Sequence, residues 1–523
     1  MSHKNRGRSS QCHDECRIIP GLFFVCDQLK NPVLVAVILV TGIGGTFQYG
    51  FHISVLTAPS AYIKELVNST CVQRYGLSLE HWQLSLIWSF IVSMYCIGGL
   101  LGALCAGRIA VTYGRKKCLM MNNLVVVCGA VLMFLSKTAR SFEMIIVGRL
   151  VYGISAGVSH TVHTMYVLDC APKSLRGIVG ASVGSFVSLG KFFGQLLGLG
   201  EIMGTEALWP FLLAFSALTG LLQLVCLYFL PESPRFLLLN RGDKSACEKA
   251  LHQLRGSHAD CRSEVEEMLE ECVALQTVRN HSVLELLLDC SVRWQLFTII
   301  ITFITLQLCG INAVYLYASD VFRAAGIPAH NLRYVTLGTG LCEFSTAVLC
   351  GLVIEHTGKK LLIVRGYVSM SVALLLLTLT LYLQVHVSWM PYCSMVLIFV
   401  FIISFCSGPS CITAPLPGEL FTQSFQSAAF TVACTLNWMG LFFVGMVFPL
   451  IVEHLDYFCF LIFFVFCFST AVFVWYHVPE TRNKSVMEIT AEFDRMHNKA
   501  KHSETNLKAL KDTNTQNGQC TRL

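Results

Sequence analysis

The chain has 523 residues, 54% hydrophobic and 13% charged, with a mean hydropathy of +0.60 and a formal net charge of +6. A soluble domain carries charge on about a quarter of its residues, so the composition excludes an ordinary soluble protein and indicates a polytopic membrane chain. The basic residues fall between apolar runs instead of forming one stripe, which argues against nucleic acid as a partner and leaves lipid and a small solute.

Residues 1–32 are polar and mixed and read as a cytoplasmic tail without a cleavable signal; Cys12 and Cys16 offer too few ligands for structural zinc. Apolar runs of membrane-crossing length follow near 33–53, 83–107, 119–135, 144–168, 178–200, 208–230, 293–317, 333–354, 362–384, 391–416, 428–452 and 458–478. All should be helical, because open strands leave backbone groups unsatisfied in lipid. An all-α protein results, with a six-helix bundle over 33–230, a charged helical linker over 231–292, a second bundle over 293–478 and a tail over 479–523. Lysine and arginine in the loops after the second and eighth runs place those loops, the linker and both termini in the cytoplasm. The longest loop on the other face, 54–82, contains the glycosylation sequon Asn68-Ser69-Thr70; the triplets at Asn280 and Asn483 fall on the cytoplasmic side. Most of the 24 cysteines lie singly in apolar runs and read as small hydrophobes.

The two halves echo each other. Gly114-Arg115-Lys116 returns as Gly358-Lys359-Lys360, a shift of 358 − 114 = 244. Asp169 and Arg176 return as Glu419 and Gln426, shifted by 250, and the PESPR motif holding Glu232 and Arg235 returns as PET with Glu480, shifted by 248. Such a repeat implies two bundles related by an axis along the membrane normal, with a midplane site between them. The charged motifs, together with Glu355, read as a conformational latch at the cytoplasmic helix ends. Gln426 stands where the repeat calls for a base, so Glu419 lacks that partner and the second latch is expected to be weak.

Within the seventh run the sequence QLCGINAVYLY, Gln307 to Tyr317, places two amides, a glycine and two tyrosines at membrane depth. Such groups are tolerated where they face protein or a watery cavity, so they serve either as a ligand site or as glue between helices.

These motifs, with GPS at Gly408, ELF at Glu419 and NW at Asn437, resemble the facilitative hexose transporters of the major facilitator superfamily, particularly the fructose- and urate-handling branch, from about 33 to 490. The resemblance implies passive uniport of a hexose by alternating access, with no cofactor and no covalent chemistry. It assigns Gln307, Asn312, Tyr315, Phe405, Gly408, Asn437 and Trp438 to the sugar site, where amides serve hydroxyls and an aromatic face covers C–H groups. It also exposes departures: Leu306, Gly184, Ala414, Cys406 and Leu441 stand where the family commonly has hydrogen-bonding or aromatic residues, and Glu343 stands in place of an asparagine.

Lys191 lies two helical turns after Gly184 and should share its cavity face. A lysine and a carboxylate at membrane depth each cost about 2.5–3.5 kcal/mol unless paired or wet, so Lys191 and Glu343 are expected to face each other across the cavity, as a salt bridge or as a receptor for an anion. His160 and His163 read as packed neutral histidines, and His52 as a neighbour of the cavity. No nucleophile–base constellation or phosphate-binding loop is visible. A plasma-membrane hexose uniporter is the leading expectation; a urate-like organic-anion uniporter and a non-transporting sensor or scaffold are the alternatives.

Overall fold

The computed structural model describes residues 32–497, apart from 77, 173–174, 257–260, 277–280, 312–313, 315–321, 324–326, 354–356, 483 and 485. Regular structure among them is entirely helical. Twelve segments fall on the twelve apolar runs and are numbered here as spans one to twelve: Pro32–Thr57, His81–Tyr113, Arg115–Thr138, Phe142–Cys170, Arg176–Leu197, Trp209–Phe229, Arg293–Leu308, Ala329–Val353, Lys359–Leu383, Met390–Thr413, Gln423–Leu455 and Cys459–His477.

Nine of these are long and apolar enough to cross a membrane on their own. The other three are informative. Span seven ends at Leu308, and Gly310 then takes φ +90°, a backbone conformation that side chains disfavour, so the helix expected to run unbroken to 317 is interrupted. Spans five and eight are 22 and 25 residues long, but they carry Lys191 and Glu343 among glycine, serine and threonine.

Lipid tails give helices no hydrophobic reason to associate, so association depends on close packing of small residues. Spans one and five are the clearest case. A Cβ built on Gly50 would lie 1.9 Å from the Val187 carbonyl oxygen, and one on Gly190 would lie 1.9 Å from the Phe47 carbonyl oxygen. The two backbones touch reciprocally. Each half has its own apolar core, around Tyr152, Trp209 and Tyr166 in the first and around Phe303, Tyr367, Phe401 and Phe460 in the second. Trp438 belongs to span eleven but packs in the core of the first half, with Cys434, Leu441 and Phe442 of the same span against that core.

Between the halves lie the helices Lys244–Arg255, Arg262–Gln276 and Val283–Leu288. Asp243 caps the first by accepting from the Ala246 amide at 2.9 Å. Arg255 pairs with Glu264 at 2.8 Å and donates to the Cys170 carbonyl at 2.8 Å, which ties this linker to the end of span four. The segment expected as the first external loop contains a 16-residue helix, Ser60–Tyr75, on which Asn68 is exposed and Thr70 buried.

The reciprocal contact of spans one and five gives a paired test. Gly190→Ala should destabilise the purified protein by about 1–3 kcal/mol or more. Gly184→Ala, where a Cβ would have nothing within 4 Å, should not lower the thermal midpoint. Both are measured by fluorescence-detected size exclusion after heating.

Candidate functional site

Two charged clusters stand at corresponding helix ends. In the first half, Arg115 Nε meets Asp169 Oδ2 at 3.1 Å, and the Ser233 hydroxyl donates to the same oxygen at 2.7 Å. Arg235 adds its positive charge nearby. Glu232 Oε1 accepts from the amides of Lys116 and Ser233, both at 2.9 Å, and so caps the start of span three. In the second half, Lys359 Nζ pairs with Glu419, and the Thr481 hydroxyl donates to Glu419 Oε2 at 3.0 Å. Glu480 Oε1 accepts from the amides of Lys359 at 2.8 Å and Thr481 at 3.1 Å, capping span nine. A Cβ on Gly114 would lie 2.6 Å from Glu232 Oε2, and one on Gly358 would lie 2.6 Å from Glu480 Oε2. The sequence repeat is thus a repeat of three-dimensional contacts.

Among the described contacts, Asp169 takes Arg115, the first residue of span three, and Ser233 as partners. Glu419 does not want for a base: Lys359 supplies it, while Gln426 donates to the Gly418 carbonyl at 3.3 Å. The base missing at 426 therefore does not leave Glu419 unpaired. Arg176 opens span five, and Glu355 lies outside the described residues.

Gln307 Nε2 donates to Asn437 Oδ1 at 2.8 Å, joining spans seven and eleven by the amides expected to serve sugar. Asn312 and Tyr315 lie outside the described residues. Phe405 is buried in the core of the second half. Gly408 sits in a π-helical turn, Cys406–Ser410, where a Cβ would lie 2.5 Å from the Leu362 carbonyl oxygen. Close approach to span nine accounts for that glycine. Trp438 is wedged against Gly99, whose Cβ would lie 2.2 Å from the indole, and meets Tyr49 edge-on at 5.3 Å. It joins the halves instead of presenting an open face.

Lys191 Nζ and Glu343 Oε1 are 2.7 Å apart, with side-chain exposures of 18% and 3%, and the Ser188 hydroxyl lies 3.4 Å from the same oxygen. The pair bridges spans five and eight, hence the two halves. Tyr49 lies within hydrogen-bonding reach of Asn437 and within electrostatic reach of Lys191.

Sequence reasoning overlooked Tyr49 and Arg149. Arg149, in span four, is buried over the Tyr95 ring at 4.4 Å and donates to the His52 carbonyl at 2.9 Å. An arginine inside the run FEMIIVGRLVYG was the available signal. His52 Nε2 contacts the Ser216 hydroxyl at 2.8 Å, and His163 Nδ1 contacts the Thr46 hydroxyl at 3.2 Å. Among the described residues no three His, Cys, Asp or Glu side chains are grouped to hold a metal.

The twelve described spans in two repeated halves have the fold of a major facilitator superfamily protein of known structure. The proton:xylose symporter XylE bound to 6-bromo-6-deoxy-D-glucose superposes with a TM-score of 0.71 over 88% of this chain and 99% of its own, at 22% identity. Residues 37–493 match the family described as sugar (and other) transporter, and the chain belongs to it. Curated relatives place it among the facilitated glucose transporters of solute carrier family 2. It is 42% identical to human member 9 over 90% of this chain and 89% of that one, and 43% identical to human member 11 over 90% and 94%. Member 5 from Bos taurus is 40% identical over 89% and 93%. The chain is a transporter and not an enzyme.

The partner of Glu419 can be read from stability. Gln426→Ala should change it by no more than about 0.5 kcal/mol. Lys359→Met should lower the thermal midpoint by leaving a carboxylate without its base, and adding Glu419→Gln to that variant should recover part of the loss.

Proposed function

We propose that the protein is a plasma-membrane uniporter for neutral hexoses such as glucose or fructose, working by alternating access between the bundles at 33–230 and 293–478. The observation that carries this reading is charge balance: the lysine that would attract an anion is already matched by Glu343 at 2.7 Å, and the amides Gln307 and Asn437 are uncharged. Uncharged amides donate to and accept from hydroxyls without requiring charge on the solute. The names of the facilitated glucose transporter relatives support the same class of substrate.

In this reading Gln307, Asn312, Tyr315, Asn437 and Trp438 line or border the sugar site, while the Asp169 and Glu419 clusters brace each bundle at its cytoplasmic end. Both termini and the 231–292 linker are cytoplasmic, in line with the basic loops. Asn68, exposed on its helix, carries the external glycan.

Counterflow in proteoliposomes tests the proposal, with labelled D-glucose, D-fructose and urate in parallel and L-glucose as control. Saturable exchange of a D-hexose at least tenfold faster than L-glucose is expected. Gln307→Ala should raise the half-saturation concentration by about tenfold, the worth of one hydrogen bond. Exchange of urate alone would favour an anion carrier, and no exchange by folded protein would favour a sensor.

A further inference from the structure

Three features make the Lys191–Glu343 pair more than a structural salt bridge. Its partners come from different halves of the molecule. It is buried, and Lys191 lies within electrostatic reach of Tyr49, which is within hydrogen-bonding reach of the amide Asn437. Room exists on the same helix face, since a Cβ on Gly184, two turns before Lys191, would meet nothing within 4 Å. An ammonium in such a place is a receptor for a carboxylate, and here the carboxylate it receives is built into the protein.

We propose that Glu343 is a specificity-determining residue: as a resident counterion it occupies the Lys191 ammonium and thereby excludes hexuronates, sugars that differ from hexoses in carrying a carboxylate. The inference rests on the reading of the site as a sugar site. A hexuronate entering the wild-type cavity would have to displace Glu343 from Lys191 and bring a second negative charge beside it. Like-charge juxtaposition of this kind is an effective means of rejecting a wrong ligand. A neutral hexose disturbs neither partner. Once the resident carboxylate is neutralised, Lys191 becomes a vacant donor for the carboxylate of the sugar.

The test uses purified full-length protein and D-glucuronate as the probe. Glucuronate is expected to raise the thermal midpoint of Glu343→Gln, with half-maximal effect at a concentration at least tenfold lower than for wild type or for the Lys191→Met/Glu343→Gln double variant. In proteoliposomes it should inhibit residual glucose counterflow by Glu343→Gln, relative to that variant's own uninhibited rate, at least tenfold more potently than in wild type. Equal sensitivity of the single and double variants, or a wild type as sensitive as the single variant, overturns the proposal. Thermal stabilisation needs no translocation, so it separates the two ideas. Absent hexose exchange with selective stabilisation of the single variant refutes the hexose reading alone, and hexose exchange without that stabilisation refutes the counterion role. Should Glu343→Gln not give monodisperse protein, Glu343→Asn neutralises the carboxylate with a side chain one methylene shorter. It should then show the same selectivity over wild type and over Lys191→Met/Glu343→Asn, and no selectivity there overturns the proposal equally.

Discussion

Lys191 and Glu343 face each other from opposite halves of the molecule, and each makes the other tolerable. Removed from water alone, either would carry a desolvation cost that no nearby apolar side chain could offset. Held 2.7 Å apart, they form a neutral unit. Everything around them serves that closeness: glycines bring spans one and five into backbone contact, Ser188 adds a polar neighbour for the carboxylate, and span eight runs alongside with Gly340 close to Gln195. The contact between spans five and eight is then polar without carrying net charge.

The helix ends solve a related problem differently. The starts of spans three and nine expose amide groups where the chain turns sharply, and a glutamate from another loop accepts from them in each half. The acid thus binds a loop to a helix end, while the neighbouring Asp169 or Glu419 binds a base and a hydroxyl. Serine and threonine, arginine and lysine, aspartate and glutamate exchange between the halves without changing the arrangement. What has been kept is the pattern of donors and acceptors, with the particular side chains free to vary.

Much of this was legible in the sequence. Twelve apolar runs, the internal repeat and a lysine and glutamate too costly to leave unpaired could all be read from residue chemistry and spacing. The contacts between elements could not. Nothing in the spacing showed that Arg115, at the start of span three, meets Asp169, or that Lys359 supplies the base that Gln426 does not. The sequence also did not show that Trp438, assigned to the sugar site by resemblance, packs as a wedge between the halves, or that Gly408 answers to a neighbouring carbonyl. In a soluble protein the polar face of a helix would betray its orientation. Here the faces toward lipid and toward protein are both apolar, so composition does not say which residue meets which. Arg149 was hidden for the opposite reason, because a lone charge in an apolar run names no partner, and its partners are a tyrosine ring and backbone carbonyls.

The seating of Trp438 against Gly99 also bears on mechanics. Spans two and eleven meet there, while spans five and eight meet at Lys191 and Glu343. Two fixed points leave a pair of rigid bodies a single freedom, rotation about the line that joins them. If both contacts persist while the halves move, that line is the axle of the machine, and the cavity lining near it travels least while the helix ends far from it sweep the widest arc.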